Sequence, residues 1–186
     1  MADRRTLLNE LVEAEPGLYS RDPAVRKEAA KTILSAAEMV GPTRLIVHTP
    51  MGEKDIRSMA AEELKRSGDL SDVETLTKAY VLAVEDGMHN PGEMVRFYAG
   101  YVQTDVMGAL FAVLKRCDTL EKVGEFERRM GEGIAGCDGN AVCFLREIRE
   151  AAQFVKGQIE HDVMSKPTPK KPPAGRPKAR KRLLTR

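Results

Sequence analysis

The side chains that could bind a metal ion are three cysteines and one histidine. Cys137 and Cys143 are six residues apart, Cys117 precedes them, and His161 follows on a predicted helix. Zinc accepts three cysteines and one histidine, so these four residues could in principle form a zinc site. The short CxxC or HxxxH pairs of most zinc sites are missing, which favours reduced, partly buried cysteines in an intracellular protein. We therefore expect no metal and no cofactor.

Proton-transfer chemistry would need a histidine or a carboxylate with an unusual pKa. His48, His89 and His161 are scattered along the chain, and His48 adjoins an apolar run that favours a packing role. Asp105 interrupts an apolar helix and is the one candidate for a perturbed carboxylate, although a capped or ion-paired structural role suits it better. The chain has no Gly-rich phosphate loop, nucleophile elbow or zinc-protease motif. We expect a protein that is not an enzyme; a helical enzyme using Asp105 or a histidine is the least favoured alternative.

The densest functional signal is positive charge at the end of the chain. Residues 165–186 contain nine Lys or Arg side chains and no acidic one. Residues 1–164 hold the other 21 of the 30 basic side chains and all 28 acidic ones, a net charge of −7 within a chain of +2. This division indicates an acidic domain, residues 1–164, and a separate basic tail, residues 165–186, of the kind that binds polyanions.

The composition of the tail is typical of a segment that does not fold alone. Five prolines remove backbone donors and favour extended, polyproline-like geometry, and residues 165–173 contain no apolar anchor. We therefore predict a disordered tail that becomes ordered only on its target.

Gly175, Arg176 and Pro177 stand together in the tail and are followed by Lys178. This core resembles an AT-hook, a short motif that lies in the minor groove of A·T-rich DNA. The resemblance implies that Gly175 permits close approach to the groove floor, that Pro177 keeps the chain extended, and that Arg176 enters the negative potential of a narrow groove. The family core usually has an arginine before the glycine, where this chain has Ala174, so affinity and A·T preference should be reduced.

The basic side chains around this core would contact phosphates and carry no sequence information. They are Lys170, Lys171, Arg180, Lys181 and Arg182. Two alternatives stay open, namely nonspecific binding of DNA or RNA and a tail without any role in nucleic-acid binding. We expect nucleic acid as the partner of the tail, DNA in preference to RNA, and a protein partner or a second copy as the partner of the helical body.

The body that carries the tail shows helix signals almost throughout. Asp22 and Pro23 give the clearest start, a cap followed by proline at the first helical position. Ser71 and Asp118 each stand three residues before a glutamate, which predicts two further caps. The predicted helices span residues 4–13, 23–40, 54–66, 71–86, 90–116, 118–130 and 140–163.

The helix predicted over 90–116 is the candidate centre of the fold. Residues 106–114 are apolar nearly all round, which is typical of a helix enclosed by others. Gly100, Thr104 and Gly108 lie four residues apart and predict a seam at which another helix approaches closely.

Three further patterns concern the connections. Residues 44–49 could form a strand, but no partner is visible, so we predict a buried connector or one helical turn. Gly87 is predicted to end its helix, and residues 131–139 are predicted to form a loop.

Residues 25–30 and 56–61 share a pattern at an offset of 31 residues. With the helix and turn before the first copy, residues 5–41 resemble part of a HEAT repeat, a helix pair that stacks into solenoids. The likeness fades in the second copy and no third copy is evident, whereas stable arrays generally need three or more. We predict an all-α, compact multi-helix bundle, with a short HEAT-like helical array as the alternative.

Composition and hydropathy bound the location and the core. Aromatic residues are 5% of the chain and Trp is absent, so aliphatic side chains and Met must fill the core. The most apolar segment, residues 94–114, is interrupted by charged and polar residues, which argues against a membrane span. The first residues do not resemble a signal peptide. We expect a soluble protein of the cytoplasm, nucleoid or nucleus that is neither secreted nor membrane-bound.

These observations favour a non-enzymatic, nucleic-acid-associated accessory protein of the DNA or chromatin type. The alternative is a helical adaptor or assembly protein whose tail only solubilises it, targets it or docks on an acidic protein.

Overall fold

Helices make up nearly all of the part of the chain that the structure describes. The structure is a computed structural model, and it describes residues 4–40, 46–49, 52–89, 93–135 and 145–165. Its helices are α1 (Arg4–Ala14), α2 (Pro23–Val40), α3 (Ile56–Ser67), α4 (Val73–His89), α5 (Glu93–Lys115), α6 (Leu120–Gly133) and α7 (Arg146–Ser165). The predicted all-α, multi-helix bundle is confirmed.

Helix α5 lies at the centre of the bundle. It packs against α3, α4 and α7, while α2 packs against α1, α3 and α4, and α6 lies between α4 and α7. No residue from 105 to 114 is exposed, which confirms the prediction of an enclosed central helix. The core is mainly aliphatic, and Phe126 of α6 is its largest fully buried side chain.

The predicted helix seam at Gly100, Thr104 and Gly108 is wrong. Gly100 and Thr104 are exposed, and a Cβ atom on Gly100 would meet no other atom within 4 Å. Gly108 faces the side chain of Lys65, whose Nζ would lie 3.5 Å from such a Cβ. The neighbouring helices contact the large apolar side chains of α5 instead. Burial of this apolar area stabilises the helix contacts, whereas small residues bury little area.

Two of the three predicted caps concern the starts of α2 and α6. Asp22 caps α2 as predicted, because its Oδ1 accepts a hydrogen bond of 2.8 Å from the backbone of Ala24. The cap of α6 is Thr119 and not Asp118: Thr119 Oγ1 accepts from the backbone of Lys122 at 3.2 Å. Asp118 forms an exposed ion pair with the Lys122 side chain instead, at 2.6 Å.

The predicted cap at Ser71 is also wrong, because a 3₁₀ turn, Leu70–Asp72, precedes α4. Asp69 accepts a hydrogen bond of 2.7 Å from the backbone of Ser71, and Asp72 Oδ2 accepts one of 2.7 Å from the backbone of Asp69. These reciprocal bonds form a capping box two residues earlier than the sequence pattern indicated.

Residues 46–49 and 52–55 form the two strands of a β-hairpin, which the sequence did not predict. β1 (Ile46–Thr49) pairs antiparallel with β2 (Gly52–Asp55), with Thr49 opposite Gly52. The reading of 44–49 as a connector or helical turn was therefore wrong where the structure describes it. The start predicted for α3 at Lys54 was also too early, since Lys54 belongs to β2 and Asp55 caps the helix.

Gly87, which was expected to end a helix, and Gly133, which was expected to lie in a loop, both belong to helices. Gly87 is within α4, where a Cβ atom would lie 3.3 Å from Gln103 Nε2 and 3.7 Å from Ala99 Cβ of α5. Gly133 is the last residue of α6, so the loop predicted from residue 131 begins too early. The helix starts predicted at 90 and 140 and residues 136–139 of that loop lie outside the described residues.

The 31-residue pattern does not mark equivalent positions in the fold. Val25 is 46% exposed, whereas Ile56, its counterpart in the second copy, is 4% exposed. The Ala pairs that follow are buried in both copies, because both helices turn their small residues toward the core. Helical periodicity alone therefore accounts for the shared pattern, and the bundle is the architecture of the described residues.

Candidate functional site

The predicted nucleic-acid contacts all lie outside the described residues. They are Lys170, Lys171, Gly175, Arg176, Pro177, Lys178, Arg180, Lys181 and Arg182. What the structure places is the point from which the tail continues. α7 ends at Ser165, and residues 160–165 are all exposed, so the tail is joined to a solvent-exposed helix end.

Helix α7 is attached to the body along one face. Ile148 and Ala152 are fully buried there. Lys156 forms an ion pair with Glu127 of α6, and Gln153 Nε2 donates to the other carboxylate oxygen of Glu127 at 3.2 Å. Apolar burial and one carboxylate thus fix the helix that carries the tail.

The opposite face of α7 is open to solvent and carries large apolar side chains among polar ones. Phe154 is 66% exposed and Met164 is 86% exposed. A shallow recess of about 510 Å³ on this face is lined by Phe154, Gly157, Gln158, His161 and Asp162. Sequence reasoning missed this face, although the spacing of its residues along one helix was a visible signal.

Asp105, the predicted perturbed carboxylate, is half-buried where α5 meets α3. Its Oδ2 accepts a hydrogen bond from the hydroxyl of Ser58, which is buried. Ser58 follows a buried ion pair: Arg57 donates to Asp55 from Nε at 3.0 Å and from Nη2 at 2.8 Å. Asp105 therefore joins α5 to α3 next to a buried ion pair. This is a structural role, not that of a catalytic carboxylate.

Cys117 is the cysteine that the structure describes, and Cys137 and Cys143 lie outside the described residues. Its thiol is buried beside the backbone oxygen of Val113, 3.6 Å from Sγ. Burial raises the pKa of the Cys117 thiol above its ordinary value, and the nearby charge of Lys122 opposes this only in part. Because the thiolate is the reactive form, this environment lowers the reactivity of Cys117.

Arg116 and Cys117 line one small cleft, and Arg116 closes the end of α3. Its Nη1 donates to the carbonyl of Gly68 at 2.9 Å, and its Nη2 donates to those of Lys65 at 2.6 Å and Arg66 at 2.9 Å. The last carbonyls of a helix have no partner within the helix, so this guanidinium stabilises α3. Its position argues for a structural role and against an anion site.

Asp72 is a fully buried carboxylate at the interface of α2 and α4. Lys27 Nζ lies 3.2 Å from its Oδ2, and Lys31 Nζ lies 2.9 Å from its Oδ1. The contact of Lys31 is an ion pair whose angles do not suit a hydrogen bond. Lys27 also lies 2.5 Å from Asp69. Burial alone would raise the pKa of Asp69, but hydrogen bonds from Lys27 and Ser71 outweigh it and hold that pKa well below its ordinary value.

The histidines are not brought together where the structure describes them. The backbone of His48 pairs with that of Glu53, while its side chain and that of His89 lie outside the description. His161 is exposed, with Nδ1 3.8 Å from Asp162 Oδ1. Across the described ranges, no group of three or more His, Cys, Asp or Glu side chains is placed to hold a metal ion.

No family model, curated protein or solved structure matches the chain. Among the helices that the structure describes, none is long and apolar enough to cross a membrane. What the protein does must therefore be argued from its own residues.

Proposed function

We propose that the chain is a non-enzymatic, nucleic-acid-associated accessory protein. Its tail binds nucleic acid and its helical body makes protein contacts. The observation that carries the proposal is the nine basic and no acidic side chains of residues 165–186, beside a body of net charge −7. Neutralising phosphates releases condensed counterions, so a one-signed cationic segment binds nucleic acid with no folded interface.

The cations of the body are a poorer source of such binding. Many are engaged within the bundle: Arg128 pairs with Glu125 and Glu132, and Lys156 pairs with Glu127. A phosphate would have to compete with these carboxylates. The tail has no acidic side chain of its own, so its charge is available to a polyanion.

The preference for DNA rests on the Gly-Arg-Pro core at Gly175, Arg176 and Pro177. An arginine inserted into the narrow minor groove of an A-tract gains from its enhanced negative potential. Since Ala174 stands where the AT-hook usually has a second arginine, we expect a modest A·T preference superimposed on nonspecific binding.

Removal of residues 166–186 is the direct test. Fluorescence anisotropy with labelled duplex DNA should show binding by the full chain and none by the truncated chain, while circular dichroism shows the same helix content in both. About six phosphate contacts would weaken binding by the full chain roughly a thousandfold between 50 and 200 mM salt. Equal binding with and without the tail would refute the proposal.

Single substitutions in the full chain separate the two modes of contact. Arg176→Ala should abolish any preference for A·T-rich over G·C-rich duplexes. Lys181→Ala is the matched control, because a phosphate contact should weaken binding to both duplexes equally and reduce the salt slope by about one. If both substitutions act equally on both duplexes, the tail binds through charge alone.

The open face of α7 favours one alternative, a helical adaptor whose tail has no role in nucleic-acid binding. Exposed apolar side chains such as Phe154 are a means of protein contact. An affinity purification in which the same partners persist after nuclease treatment and after removal of the tail would favour the adaptor.

A further inference from the structure

The open face of α7 has the spacing of a helix-pairing seam. Glu150, Phe154, Gly157, His161 and Met164 follow one another at intervals of four, three, four and three residues. Residues repeating at an average of 3.5 form one stripe along a helix, and such stripes pair in coiled coils. We call these five residues the outer seam.

All five residues of the outer seam are exposed, and they lie opposite the attached face of α7. Ile148 and Ala152 of the attached face are fully buried, whereas Phe154 is 66% exposed. A Cβ atom on Gly157 would meet no other atom within 4 Å, so the seam has an open notch next to a large aromatic ring. A projection beside a notch can fit its own copy.

We propose that the outer seam binds the outer seam of a second copy of this chain, with the two α7 helices antiparallel. In this register Phe154 packs over Gly157 of the partner subunit, and the twofold axis repeats the contact. A parallel pair would set Phe154 against the partner's Phe154 and leave a gap between the two Gly157 residues. The antiparallel arrangement fills the notch twice.

Charge complementarity selects the same direction. The sum of paired residue numbers is constant in an antiparallel pair, so the register that joins 154 to 157 also joins 150 to 161. Glu150 then faces His161 of the partner subunit, a carboxylate opposite a side chain that can donate a hydrogen bond. Within its own helix Glu150 also pairs with Arg146, whose Nε lies 2.7 Å from Glu150 Oε1, so the partner's His161 would share this carboxylate. A parallel pair would place Glu150 against the partner's Glu150, and like charges repel.

The size of the seam determines the strength of the pairing. In this register the seams form four layers, 150 with 161 and 154 with 157 from each side, while Met164 lies opposite Glu147 of the partner subunit. These layers bury less than the roughly 1,200 Å² of a standard stable interface, so the dimer is weak. We expect a dissociation constant on the order of 10 µM to 1 mM.

Sedimentation equilibrium of the full chain without nucleic acid, from about 1 µM to 1 mM, tests the pairing. Wild type should show a concentration-dependent monomer–dimer equilibrium. Gly157→Leu and Phe154→Ser should each weaken it tenfold or more, because one fills the notch and the other removes the ring. Val12→Ser is the matched control, an exposed valine on α1 that should leave association unchanged.

Two results would overturn the proposal. One is a monomer at every concentration, which is also expected if another segment of the same chain covers the seam. The other is an unchanged equilibrium in Gly157→Leu, whose fold should tolerate the side chain because the notch is open. Neither result bears on the tail, since no nucleic acid is present.

A charge exchange tests the register. Glu150→His and His161→Glu should each weaken the dimer, since each replaces a complementary contact with a like pair. The double variant should restore wild-type association, because the same contact is rebuilt with its partners exchanged. In a parallel pair Glu150→His would instead remove the repulsive contact between the two Glu150 carboxylates and strengthen association, so the single variants distinguish the two directions. Failure of the double variant to recover would contradict the antiparallel register.

Discussion

Asp72 and its lysine partners show how single charges serve the fold. The carboxylate is fully buried, and Lys27 and Lys31 reach it from α2 with side chains that remain partly exposed. A buried carboxylate is tolerated only where it is paired and hydrogen-bonded, which Lys27, Lys31 and the backbone of Asp69 provide. These contacts fix α2 against the start of α4.

Lys27→Met should destabilise the protein by about 1–3 kcal/mol at pH 7, because it leaves Asp72 with fewer partners. Asp69 contributes less, since its side chain is 60% exposed and solvent screens the pair. The pKa of Asp69 is held below its ordinary 3.8, so its contribution is complete above pH 4 and is lost as the pH falls below that value. Urea midpoints of wild type and variant at pH 7 and pH 3 measure both effects.

The control for this prediction is Lys122→Met, which removes a cation from the exposed pair with Asp118. Exposed pairs contribute little to stability, so this variant should unfold near the wild-type midpoint. Equal losses in the two variants would contradict the role assigned to the buried carboxylate.

Sequence reasoning at this scale succeeded where the interaction is local. Asp22 lies beside the backbone amide that it caps, and its position before Pro23 was sufficient evidence. The pairing of Asp69 and Asp72 with Lys27 was missed because Lys27 lies 42 residues from Asp69 in the chain. No local pattern reports the distance to Lys27. The capping box at Asp69 and Asp72 is itself local, but Ser71 and Glu74 offered a competing box pattern two residues later.

At the scale of elements, one glycine permits a close contact between two helices. A Cβ atom on Gly133 of α6 would lie 2.6 Å from Cβ of Thr77 and 2.9 Å from the backbone oxygen of Glu74, both in α4. These distances are shorter than any real contact, so only glycine allows α6 this approach.

Gly133→Ala should therefore destabilise the protein by about 1–3 kcal/mol, the usual cost of overpacking. Gly124→Ala in the same helix is the matched opposite: its Cβ would meet nothing within 4 Å, and better helix propensity should stabilise by about 0.5–1 kcal/mol. Thermal unfolding of both variants checks the contrast. Stabilisation by both would show that the α4–α6 contact can separate without loss.

The hairpin shows why one element could not be predicted. β1 is apolar, but β2 is Gly52-Glu53-Lys54-Asp55, which contains no β-branched or aromatic residue. Such a strand pairs with β1 because it follows after only two residues in the chain, and backbone pairing does not require side-chain propensity. The sequence therefore showed one half of the pair.

At the scale of the whole molecule, the helical class and the enclosed α5 could be predicted because both follow from periodicity along single segments. Which helices meet could not, since the contacts of α5 with α3 and α4 join segments separated in the chain. The predicted nucleic-acid contacts stay a prediction, as they lie beyond the described residues. The outer seam of α7 could have been inferred from spacing, but its exposure required the fold.

Because α7 bears both the outer seam and the start of the tail, its length sets the distance between two tails. In the proposed pair the twofold axis passes between residues 155 and 156, and each Ser165 lies about 14 Å from it at 1.5 Å per residue. The two tails then start about 28 Å apart, close to the 34–36 Å of one DNA turn. Ten extended residues to Gly175 easily cover the difference.

This spacing makes the dimer a bivalent reader of DNA if both proposals hold. The full chain should prefer a duplex with two A·T tracts one turn apart over a single-tract duplex by tenfold or more, because the second contact is intramolecular. Gly157→Leu should remove that preference and leave single-tract affinity unchanged. If wild type and variant show the same ratio of two-tract to single-tract affinity, each tail binds DNA on its own. Helix α7 would then carry two independent surfaces and would not set the spacing between two bound tails.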